Sequence, residues 1–438
     1  MKTKFGVALV IMLLVSLMAT SCAPQATATE APVVTEAPAT EAPAETEAPA
    51  ATEEVVTYPP APEFIELGSS ISLTGNFGSL GNLILPGYEI AVEHINADGG
   101  VFVKEYNTKI PLRLTYYDDE SDPTKAVTKM ETLFSEHELT AYLGGGGSSM
   151  HAASIPIAEK NKVPYLGISF ALYKIHQQGY KYLFSPFPKS PDQTEDVFKL
   201  LNETIPEGER PTKIAVFAYN DDWGKEWGDL VKVHAPEYGY EIVVYEENPV
   251  GVNDWTAAIQ KAKAAGAEML LTLPVFPDGS GMFKTMAELG WTPKFSLVIR
   301  APEGVNWGES LGTIGDYVTI FPGWHYGAKF EGVDKLNARY EELYGRPADL
   351  LTGPAYACVQ ILAQAIEEAG TLDRDVIRDT IAAGEFETVI GSVTFNADGT
   401  GNVLDPLIQW QNGKMELVWP AEHATAPLIY PAPAFEER

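Results

Sequence analysis

Along the chain, an alternating pattern of apolar residues gives way to a helical one, and this change then repeats. Residues 64–73 alternate apolar and polar side chains, which is typical of a strand. Apolar residues recur at helical spacing over residues 88–95, and a pair of glycines ends the predicted helix. Residues 112–116 predict a second strand, and Asp122 followed by proline predicts the cap and first turn of a second helix.

The same alternation continues through the middle of the chain. A strand predicted over residues 140–143 runs into glycines 144–147, and Ser148 and Ser149 open another helix. Further strands are predicted, each separated from the next by a helix-length segment, over residues 213–217, 241–245, 268–273 and 295–299. Strands that alternate with helices predict parallel sheets with right-handed crossovers. The predicted fold class is therefore α/β, with ligands expected at the carboxyl ends of the strands.

The last part of the chain departs from this repeat. Longer helices are predicted over residues 333–344 and 355–369, and Asn412 with Gly413 predicts the turn of a hairpin. At 438 residues, the chain fits two doubly wound, Rossmann-like lobes better than one oversized sheet.

The first 22 residues resemble a bacterial lipoprotein signal peptide. Two lysines precede an apolar run over residues 5–18, small residues follow, and Cys22 ends the segment. Cys22 would carry the lipid and become the mature N-terminus. The usual leucine three residues before the cysteine is replaced by Ala19, and Ala19 with Ser21 also suits ordinary signal peptidase. Secretion as a free protein is therefore the alternative.

Residues 23–63 form a repetitive segment of alanine, proline, threonine and glutamate. Thr-Glu-Ala-Pro recurs at residues 35–38, 40–43 and 46–49, and large apolar residues are scarce. Such a segment cannot bury enough surface to offset the entropy lost on ordering. We predict a disordered linker that holds the globular part away from a membrane anchor.

Charge and cysteine content narrow the possible partners. The formal net charge of −30 argues against nucleic acid and anionic lipid as partners, because both need clustered lysine and arginine. The two cysteines, Cys22 and Cys358, exclude a disulfide framework and a cysteine-rich metal site. Cys358 lies in an apolar helical pattern, where a small buried residue is expected. We predict no metal and no cofactor.

Six short segments together indicate a known family. They are ISLTG at 71–75, AVEHINADGG at 91–100, YDDESDP at 117–123, DWG at 222–224, APEGV at 301–305 and TVIG at 388–391. With these segments in this order, residues 66–415 resemble the leucine/isoleucine/valine-binding family of periplasmic proteins, which has the type I binding-protein fold.

The resemblance implies a ligand site between two lobes. In the family, a serine hydroxyl and backbone amides at a helix start hold the ligand's carboxylate, and an acidic side chain holds its ammonium. Ser148, next to Ser149, matches that serine, and Glu303 matches the acid. A helix N-terminus does present free N–H groups and a positive dipole to an anion. The alternative role for either serine is to cap the helix.

Four more residues match ligand-contact positions of the family. Trp223 replaces a tyrosine that covers the ligand, and Phe276 lies near a second such aromatic residue. Ser169 matches a further contact, and Ala171 replaces a threonine that assists the carboxylate. Either aromatic side chain could instead be a lobe-packing residue.

Other departures from the family concern the side-chain pocket and a disulfide. Leu80 replaces the usual aromatic residue before the first helix, and Gly146 replaces an apolar residue beside the serine. We expect both to enlarge or reshape the pocket. The disulfide of the family's best-known member is absent, with Ser121 and Gly147 in those places.

The resemblance also implies lobe boundaries and hinges. The predicted lobes are residues 64–188 with 322–390, and residues 189–321 with 391–438. Crossovers should let these lobes close as rigid bodies about hinges near Pro188, Pro322 and Gly391.

The function implied is that of an extracytoplasmic substrate-binding protein of an ABC importer, without enzymatic activity. It would bind a branched-chain or other amino acid, or a related small amide or carboxylate, and deliver it to the membrane permease. We expect a monomer, anchored by lipid or free in the periplasm. A ligand-sensing domain of a membrane receptor is the alternative. An α/β enzyme is more distant, because the glycine-rich turn lacks a P-loop lysine and the dinucleotide spacing.

Overall fold

The computed structural model describes residues 57–438 apart from Pro322. The predictions for the signal peptide, for Cys22 and for most of the linker lie outside these residues. Residues 57–63, the end of the predicted linker, are irregular and exposed.

The strands of the described part are β1 (Ile65–Ile71), β2 (Val101–Val103), β3 (Thr108–Ile110), β4 (Leu112–Asp118), β5 (Leu139–Leu143), β6 (Tyr165–Leu166), β7 (Leu183–Phe184), β8 (Lys213–Tyr219), β9 (Glu241–Asn248), β10 (Met269–Thr272), β11 (Phe295–Val298), β12 (Val318–Ile320), β13 (Glu385–Thr388), β14 (Gly391–Phe395), β15 (Gly401–Asn402), β16 (Leu407–Gln411) and β17 (Lys414–Trp419). The helices are α1 (Gly78–Ala97), α2 (Pro123–Glu136), α3 (Ser148–Asn161), α4 (Ser190–Thr204), α5 (Asp222–Glu237), α6 (Thr256–Ala264), α7 (Phe276–Glu288), α8 (Asn306–Leu311), α9 (Val333–Tyr344), α10 (Thr352–Ala369) and α11 (Arg374–Ala383).

The first large sheet is wholly parallel, in the order β4-β1-β5-β6-β7. Every residue of β1 is buried, as expected for a parallel strand covered by helices on both faces. The predicted start of α2 is confirmed, because the Asp122 side chain accepts hydrogen bonds from the backbone N–H groups of Thr124 and Lys125. Helices α1 and α10 pack against each other beside this sheet. We call the sheet and its helices the first lobe.

The second large sheet has the order β17-β16-β12-β11-β10-β8-β9. Strands β8 to β12 are parallel, and β16 and β17 add an antiparallel edge. The β16–β17 hairpin turns at Asn412 and Gly413, as predicted, and both residues have the positive φ that a two-residue turn of this type requires. This sheet and its helices form the second lobe. The fold is therefore α/β with two doubly wound lobes.

A small antiparallel sheet of β13, β14 and β15 revises the predicted boundary between residues 390 and 391. That boundary falls inside a hairpin in which Thr388 pairs with Gly391. Thr400 forms a bridge with Ser185, next to β7 of the first lobe. Strand pairing therefore keeps residues 391–402 with the first lobe.

Within the described residues, the chain passes between the lobes in three segments, around residues 185–189, 321 with 323–325, and 403–406. The predicted hinge at Pro322 lies outside the described residues. Pro188 lies in the first of these crossing segments. Gly391 lies in β14 and in none of them, so the third crossing segment is residues 403–406 and not the segment near Gly391.

The core of the described chain includes Cys358, which is fully buried in α10. Burial raises the pKa of its thiol, so the side chain is a small apolar core residue, as predicted. Of the helices in residues 57–438, none has both the length and the apolar character needed to cross a membrane.

Candidate functional site

Five of the predicted site residues line one pocket between the two lobes. Ser148, Ser169 and Ala171 come from the first lobe, and Trp223 and Glu303 come from the second. The pocket encloses about 270 Å³, part of it open to solvent. It lies where the carboxyl ends of β5, β6, β8 and β11 face each other, the usual ligand position in doubly wound sheets.

The complete wall of this interlobe pocket includes five residues that the sequence did not single out. The lining residues are Ser148, Ser169, Phe170, Ala171, Phe187, Gln193, Trp223, Ile299, Arg300 and Glu303. Apolar and aromatic side chains with a few polar groups are the usual composition of a small-molecule site.

The N-terminus of α3 forms one end of the pocket. Ser148 is the first residue of the helix and is buried, whereas Ser149 is exposed and does not line the pocket. Gly147 is the N-cap, and no side chain caps the helix, so the prediction that either serine serves as the cap is wrong. Helix geometry leaves the first backbone N–H groups without intrahelical partners. They remain available for an anion in the pocket.

The glycines before α3 allow a close approach of backbones. A Cβ atom at Gly145 would lie 2.3 Å from the carbonyl oxygen of Ser70, and one at Gly147 would lie 3.2 Å from the Phe77 ring. Gly147 also has a φ of 84°, which favours glycine. The glycine run therefore lets α3 start against β1 and beside Phe77.

Ser169 and Ala171 are held in place by backbone contacts. Ser169 has a φ of 59°, and its carbonyl accepts a hydrogen bond from the Gly147 N–H at 2.9 Å. The Ala171 carbonyl accepts bonds from the backbone N–H and the hydroxyl of Ser190, at 2.9 and 2.8 Å. The Trp223 indole donates to the same hydroxyl at 3.1 Å, which fixes it as one wall of the pocket.

Glu303 lies opposite Ser148, in a short turn (Ala301–Glu303) that follows β11. Its Oε1 accepts a hydrogen bond of 2.9 Å from the backbone N–H of Arg300, and its Oε2 is buried without a hydrogen-bond partner. The residue is only 4% exposed, and burial raises the pKa of its carboxyl to about 7, against a smaller attraction from Arg300. The free oxygen of such a buried acid can bind a cation or accept a hydrogen bond from a ligand.

Arg300 is the most important pocket residue that the sequence did not identify. Its guanidinium lies over the Trp223 ring, with 4.1 Å between the carbon and the ring centroid, and 5.4 Å from the Phe77 centroid. The residue is 7% exposed, and its Nη1 is buried without a hydrogen-bond partner. An arginine two residues after a buried strand is unusual, and this was the available signal.

Phe77 corrects the prediction made for Leu80. Phe77 immediately precedes α1, whereas Leu80 lies inside that helix. An aromatic residue before the first helix is therefore present, at position 77. A Cβ atom at Gly146 would face Ile84 and Leu80, but neither Gly146 nor Leu80 lines the pocket.

Phe276 lies outside the pocket as well. It is the first residue of α7 and is half-buried against the hydrophobic core. The structure therefore supports the alternative given for this residue, which is packing within its lobe.

Behind the pocket, a buried lysine supports the Phe170 wall. The Lys189 Nζ lies 3.7 Å from the Phe170 ring centroid and donates to the Phe170 carbonyl and the Ser185 hydroxyl. Burial lowers the pKa of Lys189 well below its usual value, and it lowers the pKa of His151 and His176 to about 3, so both rings are neutral.

Between residues 57 and 438, no group of three or more histidine, cysteine, aspartate or glutamate side chains is placed to hold a metal ion.

Comparisons with known proteins find similarity over most of the chain. The family model described as periplasmic binding protein matches residues 65–414. A leucine-, isoleucine-, valine-, threonine- and alanine-binding protein of Pseudomonas aeruginosa is 25% identical over 349 residues, 78% of this chain and 88% of the relative. The Leu/Ile/Val-binding protein homolog 7 of Brucella abortus is 23% identical over 389 residues, 85% of this chain and 95% of the relative.

Two solved structures share the fold. The leucine-binding protein LivK of Thermotoga maritima superposes with a TM-score of 0.72 at 20% identity, covering 81% of this chain and 97% of that protein. The branched-chain amino acid transporter substrate-binding protein LivJ of Streptococcus pneumoniae, in complex with isoleucine, gives a TM-score of 0.72 at 21% identity, covering 82% and 100%.

Proposed function

Because the chain belongs to the periplasmic binding protein family, we propose that it is the extracytoplasmic substrate-binding protein of an ABC importer. It binds an amino acid in the interlobe pocket and delivers it to the membrane permease. One observation carries the proposal: the pocket places the uncapped N-terminus of α3 on one lobe and the free Oε2 of Glu303 on the other. The amino acids named for the relatives support the ligand class.

An α-amino acid complements these two groups. Its carboxylate suits the free N–H groups and the Ser148 hydroxyl at the start of α3. Its ammonium suits Glu303, whose ionised form would gain a buried partner. Phe170, Phe187 and Ile299 offer apolar wall for a side chain. Because Ser148 and Glu303 come from different lobes, both contacts form fully only when the lobes close.

We propose binding without catalysis. A serine next to a histidine would suggest a nucleophile with its base. Here the His151 Nδ1 lies 2.9 Å from the Gly147 carbonyl, and its Nε2 is buried without a hydrogen-bond partner. The Ser148 hydroxyl therefore has no activating contact from this ring.

Ligand binding should make the particle more compact, because the lobes are joined by three crossing segments and the pocket lies between them. The amino acid that most raises the thermal midpoint of unfolding would be added at saturation, and the radius of gyration measured by small-angle scattering. We expect a decrease. An amino acid that leaves the midpoint unchanged is the control, and an unchanged radius with the stabilising ligand would contradict the proposed closure.

Replacing Cys22 with alanine should release the protein from the membrane fraction. We propose that Cys22 carries the lipid anchor, since it follows a basic segment, an apolar run and small residues. Cell fractionation with immunoblotting checks the location, and mass spectrometry of the wild-type N-terminus checks the lipid. A Cys358→Ala variant is the matched control. The lipoprotein proposal fails if Cys22→Ala stays membrane-bound or if the wild type carries no lipid.

A further inference from the structure

We propose that Arg300 binds an anionic group of the ligand, and that the ligand is therefore an acidic amino acid with a side-chain carboxylate. This inference rests on the proposed amino-acid site and specifies its substrate class. It depends on the surroundings of the Arg300 guanidinium and on its unused hydrogen-bond donor.

Aromatic rings cover the Arg300 guanidinium and leave donor groups unused. Trp223 of the second lobe lies 4.1 Å from the guanidinium carbon, and Phe77 of the first lobe lies 5.4 Å from it. Rings attract a cation but accept none of the planar hydrogen bonds that a guanidinium edge can donate. The Nη1 is buried without a hydrogen-bond partner, and Arg300 lines the pocket. The side chain is thus more than nine-tenths buried with a donor free for a ligand.

The two carboxylates near Arg300 accept hydrogen bonds from backbone N–H groups and none from its guanidinium. Glu303 accepts a hydrogen bond from the backbone N–H of Arg300, not from its guanidinium. Asp221 attracts the guanidinium, but its side chain caps α5 by accepting from the Gly224 N–H at 2.7 Å. Burying a charge without a bonded partner is unfavourable, so the site favours an anion that the ligand supplies.

The unused donor of Arg300 points to a second carboxylate on the ligand. The α-carboxylate would use the N-terminus of α3, and the ammonium would use Glu303. A neutral zwitterion would then leave the buried Nη1 of Arg300 without a hydrogen-bond acceptor in the closed pocket. A side-chain carboxylate would accept from this group and suits the two parallel hydrogen bonds that arginine makes with carboxylates.

The test is calorimetry on the full chain with four amino acids in two matched pairs. Glutamate and aspartate carry the second carboxylate, and glutamine and asparagine have nearly the same shape with a neutral amide. We expect at least one acid to bind about thirtyfold or more tightly than its amide. The Arg300→Met variant should lose this preference, and Arg300→Lys should keep part of it. Thermal unfolding of both variants verifies that they are folded.

Two further ligands separate this inference from the proposed function. If leucine, or either amide, binds as tightly as the acids, the inference fails and the amino-acid site stands. An acid preference that survives in Arg300→Met also overturns the inference. If glutarate, which lacks an ammonium, binds while every amino acid fails, the anion site stands and the amino-acid function fails. If none of these ligands binds, both are wrong.

Discussion

Replacing Glu303 with glutamine should weaken the binding of an α-amino acid by about 2–5 kcal/mol, because it removes the charged partner of a buried ammonium. Replacing Ser148 with alanine should cost about 1 kcal/mol, the usual value of a neutral hydrogen bond, since the helix N–H groups remain. The structure supports this order of effects. Glu303 is buried with a free Oε2, whereas Ser148 shares its role with the uncapped start of α3.

Calorimetry with the amino acid that binds best would measure both variants. Glu309→Gln is the matched control. Glu309 is an exposed residue of the adjacent α8 and does not line the pocket, so this substitution removes the same charge elsewhere. Wild-type affinity in Glu303→Gln would mean that the ligand has no ammonium. A small amide, a urea-like compound or a carboxylic acid would then be the better assignment.

Affinity for an amino acid should fall by about thirtyfold from pH 8 to pH 5.5, which corresponds to about 2 kcal/mol. Burial raises the pKa of the Glu303 carboxyl from 4.5 to about 7, so the unliganded protein holds this acid largely neutral below pH 7. An ammonium binds the ionised form, and each pH unit below the pKa therefore costs about tenfold in affinity. The charged group that acts on Glu303 is Arg300, whose attraction lowers the pKa less than burial raises it.

Titration calorimetry at several pH values in two buffers would test this dependence, and proton release on binding should appear as a buffer-dependent enthalpy. The Glu303→Gln variant should show a flat profile between pH 5.5 and 8. The raised pKa of the Glu303 carboxyl also affects the stability of the folded protein. The contribution of Glu303 to folding is greatest below its usual pKa of 4.5 and is lost as the pH rises through about 7. Relative to wild type, Glu303→Gln should therefore gain stability at pH 8. A pH-independent affinity in the wild type would contradict the assignment of Glu303 as the partner of a cation.

Local chemistry made much of the fold predictable. Asp122 before a proline specified the start of α2, and Asn412 with Gly413 specified the turn of the β16–β17 hairpin, because these residues fix backbone geometry over two or three positions. Alternating strand and helix patterns likewise predicted the longer parallel strands such as β1, β4 and β8, whereas β6 and β7 have two residues each and are too short to show a period. The place of Ser148 at the start of α3 followed from the same kind of signal.

Features that depend on contacts between residues distant in the sequence could not be predicted from local patterns. Strands β13 to β15 join the first lobe through pairings such as Ser185 with Thr400, which no local pattern encodes. Arg300 is a pocket residue because Trp223 and Phe77, from two different lobes, come together around it. Phe276 was assigned to the site from its place in the chain, but it is half-buried and packs against the core instead. Position along a strand end predicts proximity to a cleft, whereas the direction of a side chain depends on packing.

A crystal structure with the amino acid that most stabilises the protein would test the central claim most directly. We predict the α-carboxylate within hydrogen-bond distance of the Ser148 hydroxyl and the start of α3, and the ammonium against the Oε2 of Glu303. A second cavity, of about 590 Å³, lies at the crossing segments and is lined by apolar residues such as Trp324 and Leu417. A ligand bound there, or an amino acid in the interlobe pocket with its ammonium away from Glu303, would contradict the account.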